Sequence, residues 1–282
     1  MTDRNFIRLS AAVGLVAACA IACGGKAPDV RTPNEYKVET VGDLKAKARL
    51  AWEKRATKEG TQEAIDRLET VILKDPNDKE ALADLAHAYY WLGDVFETDN
   101  DVKIGLFEKG AEHGYRALEV DENYIPAVYW TAVCVGSRAA ISSFVQKLRY
   151  ARKAKALQEK VLATDETFFH GGTHLFWGVF HVKADGLAGG TFEDSYAHFD
   201  RAIAIEPNYL RSYYLYAKWT LLSIKRKSPE KLQADRAKAK ELLEKVIHTP
   251  ADVLRDAIPE NEVAKRQARE LYDEEFGGEP SS

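Results

Sequence analysis

The segment 191–219 constrains the fold more than any other part of the chain. It reads TFEDSYAHFDRAIAIEPNYLRSYYLYAKW. Thr191 is a typical helix N-cap residue with Asp194 in the capping-box position, and the apolar residues that follow recur every three or four positions. Pro207 ends this helix, because proline disfavours helical backbone in the residue before it. A second amphipathic run, 210–222, begins at once, so the segment predicts a pair of packed helices.

The packing positions of this pair match a tetratricopeptide (TPR) repeat. Phe199, Ala202 and Pro207 stand where that repeat has an aromatic residue, a small residue and its closing proline. Tyr213 and Ala217 fit the first helix of the next repeat. A helical pair of this kind cannot bury its apolar face alone, so the segment predicts neighbouring pairs.

Helical periodicity continues from residue 41 almost to the C-terminus. Besides the two helices of the central segment, the predicted helices cover 44–55, 61–74, 81–92, 107–120, 125–135, 145–163, 168–182, 228–247 and 261–276. No segment has the alternating pattern of a β-strand. The sequence therefore predicts an all-α, TPR-like α-solenoid of antiparallel helix pairs with a C-terminal capping helix.

The residues that close the repeats define their length. Pro76, Glu122, Glu166 and Pro207 follow one another at intervals of 46, 44 and 41 residues, against about 34 in a standard TPR. Those lengths alone would suit HEAT or armadillo repeats, whereas the order of small and aromatic residues favours lengthened TPR pairs. Because glutamate replaces proline at two of the four positions, the phase of the middle repeats stays open.

Residues 1–22 have the build of a lipoprotein signal peptide. Arg4 and Arg8 precede an apolar run that is too short to span a membrane and that ends in cysteine. Two cysteines compete for the lipid, Cys19 after VAA and Cys23 after AIA, and the longer apolar run favours Cys23. A cleaved signal without a lipid is the remaining alternative.

The leader also sets the predicted domain boundaries. Residues 23–40 are predicted to be a flexible tether and residues 41–278 the helical solenoid. A lipid on Cys23 would anchor this domain to the membrane. The next residue is Gly24 and not aspartate, which by resemblance to enterobacterial sorting indicates the outer membrane.

Composition and motifs argue against several function classes. The net charge is −4 and no basic stripe is expected, which argues against nucleic acid as a partner. Cys134 is the single thiol of the predicted body, so no disulfide framework is expected and this residue is assigned to the core. No nucleophile-elbow, HExxH or Walker sequence occurs. We therefore predict that the chain is not an enzyme and uses no cofactor.

Three histidines raise the question of a metal site. On a continuous helix His170, His174 and His181 share one stripe, but His174 and His181 would be about 10 Å apart, too far for one ion. Only the first two could chelate, and a third ligand would have to come from elsewhere. We predict no metal site and assign these side chains to a ligand groove or to packing. Gly171 and Gly172 are assigned to close helix approach.

The first helix of each TPR pair lines the concave surface, and projecting the repeat phase predicts an aromatic groove there. Its predicted residues are Tyr129, Trp130, His170, Thr173, His174, Trp177, Tyr214 and Lys218, with His87 and Tyr90 beside them. Such a groove suits an apolar ligand or a partner helix. A competing assignment places the aromatic side chains in the core between repeats. In particular, Trp177 would turn inward if Gly178, rather than Phe176, held the small-residue position.

Four stretches resemble the TatT family, the T components associated with TRAP transporters. They are HGGTHLFWG (170–178), GLAGGTFEDSYAHFDRAIAI (186–205), YLYAKW (214–219) and LLEKVIHTPADVLRDAIPENEVAKRQARELY (242–272). The resemblance implies a periplasmic, lipid-anchored TPR solenoid that acts beside the solute-binding protein of a TRAP-type transporter. It also implies a hydrophobic or organic-acid ligand.

A second interpretation is a generic outer-membrane TPR lipoprotein that serves as a scaffold for envelope complexes. It shares the fold and the location of the first, so only the partners separate the two. A homo-oligomer is compatible with both. A hydrolase would need an acid, a base and a nucleophile in one place, and the sequence offers no such set.

Overall fold

The amphipathic periodicity folds into eleven α-helices across residues 39–183, 190–224 and 227–277, the part of the chain that the computed structural model describes. They are α1 (Val41–Trp52), α2 (Lys58–Lys74), α3 (Lys79–Phe96), α4 (Asn100–Val120), α5 (Ile125–Ile141), α6 (Phe144–Thr164), α7 (Phe168–Lys183), α8 (Phe192–Ile205), α9 (Leu210–Tyr216), α10 (Pro229–His248) and α11 (Ile258–Phe276). A π-helical turn, Ala217–Leu221, continues α9. Two 3₁₀ turns, Ala251–Val253 and Arg255–Ala257, precede α11.

No β-strand occurs in these segments, which confirms the all-α prediction. None of the helices in the described ranges is long and apolar enough to cross a membrane. The predicted signal peptide, Cys19, Cys23 and residue 278 lie outside the described residues. The residues from 39 onward form a compact unit with its own hydrophobic core, so we expect it to fold without residues 1–38.

Side-chain caps fix the start of several helices. The residues whose side chains accept a hydrogen bond from a first-turn backbone N–H are Thr40, Thr57, Asp78, Asp99, Thr191 and Ser228. Thr191 accepts from the N–H of Asp194 at 3.0 Å and donates to its carboxylate at 2.7 Å, which confirms the predicted start of α8. Each cap satisfies a donor that has no partner within its helix.

One recurring turn closes the second helix of successive pairs. In each case a carboxylate accepts the backbone N–H two residues later, at 2.9–3.3 Å; these carboxylates belong to Asp75, Asp121, Asp165 and Glu206. The following residue is proline in two turns and Glu122 or Glu166 in the others. Because the carboxylate turn is common to all four, the positions are equivalent whether or not proline is present. In the intervals of 46 and 44 residues, part of the extra length lies in α4 and α6, which have 21 residues each.

The helices pack as consecutive antiparallel pairs, α1 with α2, α3 with α4, α5 with α6, α7 with α8, and α9 with α10. Helices α3, α5, α7 and α9 also pack on one another and form an inner row, as first helices of TPR pairs do. Helix α11 packs on α9 and α10 in the capping position. The TPR-like arrangement of pairs is therefore confirmed.

A buried ion pair joins the two ends of this unit. Arg55, which follows α1, donates to both carboxylate oxygens of Glu260 in α11, at 2.7 and 2.6 Å, and both side chains are buried. The indole N–H of Trp91 donates to the carbonyl of Arg55 at 2.7 Å. Such a two-bond pair fixes orientation as well as distance. The pair therefore holds the segment after α1 against α11, and the Trp91 contact ties that segment to α3 of the inner row.

Candidate ligand cavity

An apolar cavity of about 290 Å³ lies among α3, α4, α5, α6, α7, α9 and the π-helical turn. Eleven aromatic side chains line it: Tyr90, Trp91, Phe107, Tyr129, Trp130, Phe144, Phe169, Phe176, Phe180, Tyr209 and Trp219. The longer aliphatic side chains in the lining are Val133, Ile141, Leu148, Leu175, Val179 and Leu215. Cavities of a few hundred cubic ångströms with apolar walls and few polar groups are typical of small-molecule sites.

A continuous row of rings crosses the inner helices beside this cavity. His87 stacks on Trp130 with ring centroids 3.4 Å apart, and Phe169 meets both rings edge-on at 5.2 and 4.8 Å. Tyr209 meets Phe169 edge-on at 6.1 Å. Burial lowers the pKa of His87 well below its ordinary value, so this ring is neutral at pH 7 and stacks as an apolar group. The wall is therefore fixed by ring contacts from four helical pairs.

A left-handed turn at the start of α7 places Phe169 in this wall. Phe169, His170 and Gly171 have φ angles of 50°, 58° and 76°, in the region that side chains other than glycine seldom adopt. A Cβ atom on Gly171 would lie 3.3 Å from the Cα atom of Ala202 in α8, which confirms close helix approach at this glycine. The turn breaks the continuous helix that was assumed for the histidine stripe, so His170 does not share a stripe with His174.

A buried arginine carries one of the positive charges of the lining. Arg211 is 4% exposed and donates to the carboxylate of Asp94 and, at 3.4 Å, to Gln267. Asp94 also accepts from the hydroxyl of Tyr90 at 3.3 Å. Burial opposes the charge of Arg211, but Tyr90 and Asp94 outweigh it and raise the pKa of the guanidinium above its ordinary value. Arg211 is therefore charged at every physiological pH.

The other charged residues of the lining are also mostly basic. Lys103, Lys147 and Lys183 join Arg211, and Asp94 is the one acidic residue among the described residues of the lining. The ammonium group of Lys183 lies 3.9 Å from the ring centroid of Trp219, which the π-helical turn carries. Cations beside an apolar space attract an anionic group.

The structure brings some of the predicted groove residues to the cavity and places others elsewhere. Tyr129 and Trp130 line it, as does Tyr90. Thr173 is fully buried and donates to Gln158 at 2.9 Å, so it holds α7 on α6.

Three further groove residues lie away from the lining. His170 stacks on Tyr209 at 4.8 Å, with its Nε2 atom 3.9 Å from Asp256. Tyr214 is buried and its hydroxyl accepts from the ammonium group of Lys218 at 3.0 Å, while Lys218 itself is exposed. The predicted groove residues are therefore divided between the cavity lining, the core and the surface.

Trp177 also lies outside the lining, because Gly178 holds the small-residue position of α7. A Cβ atom on Gly178 would lie 2.6 Å from the ring of Phe199 in α8. Trp177 is 6% exposed; its ring lies behind the lining residue Phe180, at 5.3 Å, and also contacts His181 and His198 outside the lining. The cavity face of α7 instead carries Phe176 and its neighbour one turn on, Phe180. Because Phe176 and Trp177 are adjacent and both aromatic, helical periodicity alone did not show which of the two faces the cavity.

A histidine cluster holds α7 against α8. The Nδ1 atoms of His174 and His198 are 2.9 Å apart, and the Nε2 atom of His174 is 3.2 Å from Glu166. His181 stacks on His198 and its Nδ1 atom is 3.8 Å from Asp194. Burial, followed by the charges of His174 and His181, lowers the pKa of His198 to about 4. In the described ranges no group of three or more histidine, cysteine or acidic side chains is placed to hold a metal ion.

Comparison with known proteins identifies a family for this chain. The family model described as "TRAP transporter T-component" matches residues 115–276, which agrees with the resemblance drawn from the motifs. No curated protein matches the chain.

Among solved structures, one described as "Crystal structure of MamA" is 17% identical, with a TM-score of 0.43 over 73% of this chain and 96% of that chain. Another, "Crystal structure of MamA protein", is 14% identical, with a TM-score of 0.38 over 86% of this chain and 98% of that chain. The family match is the more informative comparison, since it spans more than half of the sequence and runs from within α4 to the end of α11. The chain belongs to the TRAP transporter T-component family.

Proposed function

We propose that this protein is the accessory component of a TRAP-type transporter that binds an apolar organic acid in its aromatic cavity and docks on the periplasmic solute-binding protein. The observation that carries the ligand proposal is the cavity of about 290 Å³ with eleven aromatic rings and a buried arginine in its lining. Membership of the T-component family supports the association with a transporter.

The walls and the charge have separate roles in this proposal. Burial of an apolar chain against the rings contributes about 0.8 kcal/mol for each methylene. The guanidinium of Arg211 already holds Asp94 and presents a planar fork of donors that matches a second carboxylate. A neutral headgroup cannot use this positive charge, so the site should prefer an acid to the corresponding alcohol.

The experiment is a titration of the intrinsic tryptophan fluorescence, because Trp91, Trp130 and Trp219 line the cavity. A medium-chain fatty acid should change the signal, and the alcohol of equal length should bind at least about tenfold more weakly, in line with the strength of charged hydrogen bonds. The double variant Arg211→Met with Asp94→Asn removes both charges together and should abolish the preference for the acid.

Arg201→Met is the matched control, because Arg201 lies on α8 and pairs with Glu166 away from the cavity lining. This variant should keep the preference. If neither compound binds the parent protein, the ligand proposal is wrong. If both bind equally, the cavity binds apolar molecules but Arg211 does not select acids.

The partner proposal needs a different measurement. The protein, isolated from native envelope after crosslinking, should carry a periplasmic solute-binding protein and a TRAP membrane subunit. Recovery of envelope-assembly proteins without any transporter subunit would favour the generic scaffold instead. Thus the two interpretations, which share the fold, are separated by what the protein captures.

The anchor is proposed to be a lipid on Cys23, which would hold the protein on the periplasmic face of the outer membrane. The apolar run that ends at AIAC supports this residue. Labelling with a fatty-acid probe should disappear in Cys23→Ser and persist in Cys19→Ser. The reverse pattern would move the anchor to Cys19.

A further inference from the structure

Helix α6 carries a concentrated positive charge. Residues 143–158, SFVQKLRYARKAKALQ, contain five lysines and arginines and no acidic residue, while the whole chain has a net charge of −4. The expectation that the chain lacks a basic stripe is therefore wrong for this helix. The total charge hid it, because acidic residues elsewhere outweigh the run.

These charges lie on the outward side of α6. The buried residues of the helix are Ala154, Gln158 and Val161. Arg149, Arg152 and Lys153 are exposed, and Arg152 and Lys153 form no ion pair with any residue that the structure describes. Val145, Arg149 and Arg152 are spaced four and three residues apart, so they share one helix face.

Two apolar side chains are exposed where α6 begins. Phe144 is 58% exposed and Val145 is 77% exposed. Phe144 also lines the apolar cavity, so it stands at the rim of that cavity, and Lys147 lines it one turn further on. Exposed aromatic and aliphatic residues beside lysine and arginine are typical of helices that lie in the headgroup region of a bilayer.

We propose that the outward face of α6, with the adjoining cavity rim, docks on a bilayer that contains anionic phospholipids. Arg149, Arg152 and Lys153 contact lipid phosphates, and Phe144 and Val145 insert between the headgroups. Each lysine or arginine near such a surface strengthens binding about fivefold. This docking goes beyond the proposed transport role and does not depend on a ligand or on the lipid anchor.

The position of Phe144 favours a bilayer over an acidic partner protein. A protein seated on Phe144 would cover the cavity rim, whereas a fluid bilayer leaves the cavity connected to hydrocarbon. An apolar molecule could then pass between the bilayer and the aromatic walls with little exposure to water. The charge and the apolar rim thus point to the same surface.

The test uses the unlipidated chain from residue 24 onward, since the unit from residue 39 is expected to fold on its own. Flotation should recover the protein with phosphatidylcholine vesicles that contain phosphatidylglycerol, and not with phosphatidylcholine alone. About 0.5 M salt should greatly weaken the binding, because the Debye length then falls to a few ångströms and the attraction of the basic side chains to the anionic bilayer surface is screened. Arg152→Glu with Lys153→Glu should weaken binding at least about tenfold.

The matched control is Arg266→Glu with Arg269→Glu, which makes the same charge change at exposed positions of α11. A second pair separates apolar insertion from charge: Val145→Asp should weaken binding, and Leu73→Asp, at a side chain 82% exposed on α2, should not. Melting curves should be alike for all variants, because every substituted side chain is exposed.

Three results would overturn the proposal. The first is absence of binding to the phosphatidylglycerol vesicles. The second is an equal loss of binding in the α6 variant and its α11 control. The third is an α6 variant that binds vesicles like the parent but no longer captures the solute-binding protein, which would make α6 a protein interface.

Discussion

The helix pairs before residue 165 and those after it share one periodicity but differ in regularity. Helices α1 to α6 contain no left-handed residue, whereas α7 begins with a left-handed turn at 169–171 and α9 passes into the π-helical turn Ala217–Leu221. Phe169 from the first irregularity and Trp219 from the second both line the cavity. Backbone irregularities of these kinds often occur at functional sites. We call the pairs before residue 165 the regular half and those after it the irregular half. The cavity therefore lies where the two halves meet.

The largest expected effect tests the core of the irregular half. Phe199 is fully buried, abuts Gly178 and stacks on Tyr216 with centroids 4.9 Å apart. Phe199→Ala should lower the free energy of unfolding by about 3–5 kcal/mol, because it removes a buried ring and leaves a cavity. Urea denaturation measures this change. Phe144→Ala, at an exposed ring, is the control and should change stability by less than about 0.5 kcal/mol.

The regular half was predictable from local signals. The end of α2 at Lys74 was predicted correctly, as was the pairing of helices, because turns and periodicity depend on residues close in the chain. The same kind of local signal also predicted Thr191, the cap of α8 in the irregular half. The predicted helix 81–92 ends too early, because α3 continues to Phe96 with Trp91, Leu92 and Gly93 on its buried face.

The site was only partly predictable, since it depends on long-range closure. The contact of Arg55 with Glu260 joins residues 205 positions apart, and no local pattern marks it. The left-handed residues Phe169 and His170 are held by tertiary contacts, against the intrinsic preference of both side chains. The repeat phase, projected with Phe176 at the small-residue position, put Trp177 in the groove, whereas Gly178 holds that position and Trp177 lies outside the cavity lining.

The next effect compares two neighbours on α7. Trp177→Ala should lower the free energy of unfolding by about 3 kcal/mol, the low end for a buried aromatic, because the indole N–H has no hydrogen-bond partner among the residues that the structure describes. Phe176→Ala should weaken binding of the proposed ligand at the cavity. Melting and fluorescence titration of both variants separate the roles. If the Trp177 variant is as stable as the parent but binds the ligand poorly, Trp177 contacts the ligand and the assignment of this residue to the core is wrong.

A smaller effect contrasts one glycine from each half. Gly171→Ala should destabilise the protein by about 1–2 kcal/mol, because its φ of 76° disfavours a side chain. Gly105→Ala in α4 should stabilise it by up to about 1 kcal/mol, because the added methyl meets no atom of the described residues within 4 Å and alanine favours the helix. Equilibrium unfolding measures the change in the free energy of unfolding, and hence its sign, for each variant. If both variants are stabilised, the left-handed turn is absent in solution.

The smallest expected effect is a pH dependence in the irregular half. The pKa of His198 is about 4 in the folded protein, below the ordinary value of 6.5, mainly because of burial and then because of His174 and His181. Between those pH values the unfolded chain binds more protons, so the free energy of unfolding falls as the pH falls from about 6.5 to 4. The carboxylates of Asp194 and Glu166 also face the cluster and favour the protonated histidines, which reduces this fall in the free energy of unfolding.

The test follows the melting temperature across this window in the parent and in two variants. His198→Asn removes the proton-binding group with the largest shift and should reduce the slope between pH 4 and 6.5, while His174 and His181, whose pKa values burial also lowers, keep part of it. His248→Asn, at an exposed position at the end of α10, controls for the loss of one histidine. An unchanged slope in His198→Asn would mean that the ring is solvated in the folded protein. The contact between α7 and α8 would then be looser than the stacking of His198 on His181 indicates, and the cavity wall on α7 would share that freedom.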